Sequence, residues 1–267
     1  MDKFIHQKRK HGKGKKGGNK GFDPQQQQGQ QDKPFRLPRG FEVVFKWVSV
    51  DAERVSPREN KEVIYQEYVA NRAQLLKDTV YNPDGTENVE GISRLRQAGL
   101  DDKAIFETVA KGRTPNGFNY HHLFPRALSG SFKRGPVEIG GEMISSIHDW
   151  RCLQPLSNAH DCDIHGNVHK AMEERNGHLP SVGHRTTYDI AIPLTAKEYE
   201  LYRTNPKAVK AELLIVGADS YRTVDQRGKG GELAKIVPIR SEGSRNDGSN
   251  GGSLRSAAII ARMRRSR

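Results

Sequence analysis

Eight of the ten histidines in this 267-residue chain fall between His121 and His184; the other two, His6 and His11, sit in a lysine-rich N-terminal stretch. A protein core does not need imidazole in bulk. Such clustering points to a metal site, a proton-transfer site, or both. Spacing narrows the chemistry. His165 and His169 are four residues apart, and Lys170-Ala171-Met172-Glu173-Glu174-Arg175 continues as good helix formers. Residues i and i+4 of a helix share a face, so both imidazoles can reach one ion. The pair His121-His122 ends the run Gly117-Phe118-Asn119-Tyr120, which reads as an extended strand. Adjacent strand residues point to opposite sides. One histidine of the pair can therefore bind the ion while the other faces a substrate beside it. Two helical ligands and one strand ligand leave coordination positions open, as a catalytic metal requires and a four-ligand structural site does not.

These pieces come in a recognisable order. His121-His122 is followed closely by Pro125, then by the Gly140-Gly141 turn, a short apolar strand from Leu153 and the His165-x-x-x-His169 helix. The set resembles the HNH (ββα-metal) nuclease finger, in the flavour of bacterial toxin DNases that includes the colicin type. The stretch Pro136-Val137-Glu138-Ile139-Gly140-Gly141 resembles the Pro-x-x-x-Gly-Gly segment of those toxins, and Ala98-Gly99-Leu100 through Gly117 resembles their lead-in. Where the family carries Asn just before the short strand, this chain has Arg151-Cys152. Bracing of the loop then falls to another residue, Asn158 or Asp149.

The resemblance implies phosphodiester hydrolysis with one divalent metal ion, which could be Zn, Mg, Mn or Ni. His122 is then the general base, since a neutral imidazole near pH 7 suits the removal of a proton from water. His121, His165 and His169 are the ligands. His160 is the runner-up ligand, from a loop, if the helix starts late. Helical geometry favours His165 with His169. Asp161 and Asp163 read as caps for the helix N-terminus. His148, His178 and His184 read as surface or supporting residues. Arg126, Lys133, Arg134 and Arg113 are candidates to hold DNA phosphates.

The elements that must position these residues are legible in outline. Residues 41–50 read as a strand by their β-branched and aromatic content. Ser56-Pro57-Arg58-Glu59 opens a helix that runs to about Asp78 with Ile64, Tyr68, Leu75 and Leu76 on its apolar face. Short helices follow over 92–97 and after Asp101, the second ended by Gly112. We read this region as scaffold. Beyond the finger, residues 187–192, 212–217 and 236–239 read as strands, and Thr195-Ala196-Lys197-Glu198 is a capping box that opens a helix.

Charge sets further bounds. Formal net charge is +12. The excess lies at the ends: residues 1–20 are dominated by Lys and residues 241–267 by Arg, while the middle is almost neutral. Such tails are electrostatic arms for phosphate backbones or solubilising segments. The low-complexity Lys/Gly/Gln stretch at the N-terminus predicts disorder. Cys152 and Cys162 are too few for a disulfide framework and read as reduced, small apolar residues. No long apolar run predicts a membrane span, and no apolar segment predicts a secretory signal.

The expectation is an α+β protein. A ββα-metal HNH finger at 113–185 is embedded in a mixed α/β scaffold at 37–112, followed by a small α+β addition at 186–240. The termini, 1–36 and 241–267, are disordered and basic. The expected function is metal-dependent DNA cleavage of low sequence specificity by an antibacterial toxin, with DNA and a cognate immunity protein as partners. The toxin would be made in the cytoplasm and exported by a route that needs no signal peptide. The alternatives are a phage or mobile-element HNH endonuclease and a non-catalytic nucleic-acid-binding protein with a structural zinc.

Overall fold

The computed structural model describes residues 35–227 and the strand Glu232–Pro238. The two basic tails lie almost wholly outside the described residues. Strand β1 (Val43–Glu53) begins and ends later than the sequence suggests. It pairs antiparallel with β6 (Arg185–Pro193) on one side and β7 (Glu212–Val216) on the other. β8 (Ser220–Asp225) and β9 (Glu232–Pro238) complete a five-stranded antiparallel sheet of order β6-β1-β7-β8-β9. Segments 37–112 and 186–240 therefore meet in one sheet, with the N-terminal strand inserted between two C-terminal ones.

After β1 the chain turns into helix. Ser56 accepts a hydrogen bond from the Glu59 N–H, and Pro57 takes the first helical position. The helix has three parts: α1 (Pro57–Glu59), a π-helical turn (Asn60–Ile64) and α2 (Tyr65–Val80). π-Turns inside helices are rare and recur at functional sites. Asn88 caps α3 (Val89–Gln97), and Asp101 caps α4 (Asp102–Lys111), which ends at a left-handed Gly112. Gly91 is where α3 meets α2: a Cβ there would lie 1.8 Å from the Thr79 carbonyl oxygen, so only glycine allows that approach.

β2 (Phe118–His122) pairs antiparallel with β5 (Leu153–Ser157), His122 lying opposite Leu153. Between them a small hairpin, β3 (Val137–Ile139) and β4 (Glu142–Ile144), turns at Gly140 and Gly141 with φ of 63° and 91°. Asp163 caps α5 (Ile164–Asn176) by accepting from the Gly166 N–H. α6 (Ala196–Thr204) carries the expected capping box of Thr195 and Glu198. The architecture is mixed α+β. Among the described residues, no helix is long and apolar enough to cross a membrane.

α5 has two working faces. Ile164, Val168, Ala171 and Met172 enter the core that also holds Phe45, Ile190 and Leu214 of the sheet. Polar side chains then fix the helix's rotation. Buried Asn167 donates to the carbonyls of Gly217 and Ala218 at 2.9 and 3.1 Å. Asn176 donates to the Asp189 carbonyl and accepts from the Asp189 N–H. Each such bond contributes about 1 kcal/mol. Their main effect is geometric, because they leave His165, His169 and Glu173 on the stripe that faces away from the sheet.

Candidate metal centre

His121 lies on β2, His165 and His169 one turn apart on α5. Their ligand atoms all lie within 4.8 Å of one another. The rings stand edge-on, with centroids 5.1 Å apart for His121–His165, 4.6 Å for His121–His169 and 4.7 Å for His165–His169. His121 is 2% exposed, and neither ring nitrogen has a hydrogen-bond partner among the described residues. Buried polar atoms are nearly always satisfied. An imidazole with both nitrogens orphaned, facing two further imidazoles, fits a cation. Three histidines here lie close enough to bind a metal ion.

Alternation along β2 decides which histidine goes where. Tyr120 and His122 lie on the face toward α2, where Tyr120 packs with Tyr68, Leu75, Leu76 and Leu153. His121 points the other way, to α5. The His122 ring meets the Tyr68 ring edge-on at 4.8 Å, and its Nε2 is buried without a partner. Both histidines nonetheless line one cavity of about 900 Å³. Its far wall comes from the first helical region: Asn60 in the π-turn, then Tyr65, Tyr68 and Arg72 at a spacing that keeps them on one face. Arg126 lies over the Tyr65 ring at 4.7 Å.

β2 is held in place from behind. β5, its ladder partner, is tied to α3 by Gln154, whose Nε2 donates to the Arg94 carbonyl at 3.0 Å. The buried Arg94 guanidinium in turn donates to the Arg151 carbonyl at 2.8 Å and lies over the Trp150 ring. Asp149 accepts from the Arg151 N–H and forms an ion pair with its side chain, which fixes the turn into β5. Asn158 is exposed, and its N–H donates to the Gly117 carbonyl at 2.9 Å.

Burial sets the protonation state. It pushes His121 well below the ordinary histidine range, helped by the charges that its neighbours His169, His165 and His122 would carry. His122 is lowered to about 3, by burial first and then by the positive charge of Arg126 and the presence of His148. Burial also lowers His165 and His169, with Asp163 acting in the opposite direction on each. All four rings are neutral at pH 7 and keep a lone pair for a metal or a proton. The linkage has a definite sign. The unfolded chain protonates these histidines near pH 6.5, whereas the folded chain does not until lower pH, so stability is complete above about 6.5 and falls with acid. The urea midpoint of the metal-free protein should therefore drop between pH 7 and pH 5, and the drop should shrink in His122→Phe. A flat midpoint across that window would contradict the burial argument.

The other sequence candidates are scattered. His160 is exposed, in a turn closed by the Cys162 N–H to the Ala159 carbonyl, and is not part of the metal-competent group. Among the phosphate candidates, only Arg126 lines the histidine cavity. Lys133 forms an ion pair with Glu59 at 2.6 Å, and Arg134 is paired with Glu53 and sits 3.5 Å from Asp51. Arg113 lines a separate hollow beside Phe35 and Lys111. Asp163 caps α5; Asp161 does not. His178 lines the cavity, His184 is exposed, and His148 is half-buried with its Nε2 3.5 Å from Glu67. Cys152 and Cys162 are free thiols. The sequence reading missed Asn60, Tyr65 and Arg72 and took Tyr68 for core. The available signal was the i, i+3, i+7 spacing of Tyr65, Tyr68 and Arg72.

Comparison with protein-family models, curated proteins and solved structures finds no match to this chain.

Proposed function

We propose that this chain is a metal-dependent endonuclease of the HNH (ββα-metal) type that hydrolyses DNA phosphodiester bonds. The observation that carries this reading is the division of labour on β2. His121 joins His165 and His169, while His122, one residue on and facing the other way, opens into the same cavity. A purely structural zinc would need neither the second histidine nor the cavity beside it. An all-imidazole donor set suits Zn, Ni or a similar borderline ion better than Mg, which prefers oxygen ligands.

In this reading His121, His165 and His169 hold the ion. When bound, it supplies Lewis-acid stabilisation of the negative charge that builds on the phosphate and the departing 3′ oxygen. His122, kept neutral by burial, takes a proton from the attacking water through a ring nitrogen. The water oxygen attacks phosphorus, and the bond from phosphorus to the 3′ oxygen breaks. Arg126 and Arg72 bring positive charge to the cavity wall where the phosphate must sit. Tyr65 holds the Arg126 guanidinium over its ring, which limits the positions that cation can take. The biological setting we propose, on the toxin-like sequence features alone, is an antibacterial effector neutralised by a cognate immunity protein.

The test is supercoiled plasmid incubated with the full-length protein. Nicked and linear products should form with added Zn or Ni and disappear with chelator. Tight metal binding with intact plasmid under every metal would favour a non-catalytic nucleic-acid-binding protein.

A further inference from the structure

Two tyrosines share the small cluster formed with Leu75, Leu76 and Leu153, and they differ in one respect. Tyr120 is 8% exposed, and its hydroxyl is 2.7 Å from the Thr79 hydroxyl. Tyr68 is 9% exposed, and its hydroxyl makes no hydrogen bond to another described residue. The Tyr68 ring is packed, but its hydroxyl oxygen stays open to solvent rather than sealed in the core. The Tyr68 ring is locked edge-on against His122 at 4.8 Å, and the residue lines the metal-bearing cavity together with Arg72 and Arg126. Its hydroxyl, open to solvent and unpaired with any described residue, is therefore available to whatever fills that cavity.

We propose that Tyr68 is a substrate-contacting residue whose phenol O–H donates a hydrogen bond to a non-bridging oxygen of the phosphodiester held at the three-histidine centre. The inference rests on the endonuclease reading and adds to it a contact from outside the ββα unit. Burial pushes the phenol up to about 12 against the opposing pull of Arg72, so the O–H remains a donor at any working pH. A neutral donor also suits this position. It grips an oxyanion without adding a positive charge beside His122, which must accept a proton and already feels Arg126. Hydrogen bonds from fixed donors to developing negative charge are among the stronger contributions a site can make.

The variant is Tyr68→Phe in the full-length protein, which removes one oxygen and keeps the ring against His122. Inorganic phosphate binding to the Zn-loaded protein is measured by calorimetry, beside plasmid cleavage at saturating DNA, metal content and thermal midpoint. Phosphate affinity should fall about tenfold and cleavage about ten- to a hundredfold, with metal content and midpoint unchanged. Unchanged phosphate affinity overturns the proposal, as does a wild-type protein that binds no phosphate. A tyrosine-dependent phosphate affinity in a wild-type protein that cleaves no nucleic acid would uphold the anion contact and reject the endonuclease reading.

Discussion

His122→Ala should lower DNA cleavage by about a thousandfold, the middle of the range for loss of a general base, while metal affinity stays at the wild-type level. His122 is on the strand face opposite His121 and is not part of the ligand group, so removing it leaves all three ligand imidazoles in place. Its ring is buried against Tyr68, and truncation to alanine leaves a void. His122→Phe is therefore the companion variant. It restores an aromatic ring beside Tyr68 and still has no nitrogen to accept a proton. Both variants should be inactive, and calorimetric titration with Zn should give the same affinity for each as for the wild type. Cleavage near the wild-type rate in the phenylalanine variant would remove His122 from the chemistry. Loss of metal in both would mean that the two faces of β2 are not independent.

His169→Ala should remove both metal and activity, with affinity falling by more than about a hundredfold as one of three ligands is lost. His121→Ala should behave in the same way. His160→Ala should keep most of both properties, because that side chain is exposed in a turn before α5. Metal content of purified variants, read by elemental analysis after dialysis against dilute Zn, checks all three. The His169 ring is exposed, so its removal costs the metal-free fold little packing. The His169 variant should thus fold about as stably as the metal-free wild type, and the comparison should be made on folded protein judged by its thermal midpoint. Metal retained by His169→Ala and lost by His160→Ala would transfer the third ligand position to the turn.

The sequence by itself determined the local parts of this site. Asp163 as a cap, His165 and His169 on one helical face, and His121 and His122 on opposite faces of a strand all depend on residues no more than four apart. Backbone periodicity and capping hydrogen bonds act over that range, which is why they are legible without knowing the fold. Ser56-Pro57, Asp101 with Gly112, and Thr195 with Glu198 were readable for the same reason. β8 was not read: Ser220-Tyr221-Arg222-Thr223-Val224-Asp225 has little apolar content, and it becomes a strand because β7 and β9 pair with it on both sides.

Only the tertiary structure decided the rest. β1 is followed by about 130 residues before it meets β6, and any of several apolar strands could have served as its partner by composition. The fates of Lys133 and Arg134 depended on which acids the fold would bring alongside, and Glu59, Glu53 and Asp51 were brought to them. Tyr68 has the spacing of a core residue on α2, and its packing does place it in a core cluster. What its hydroxyl faces depends on the docking of α2 against β2, a contact between segments far apart in the chain. Local spacing fixes the direction in which a side chain leaves its own backbone. The group it meets is fixed by long-range packing, in which many partners of similar composition compete and burial of the whole core selects among them.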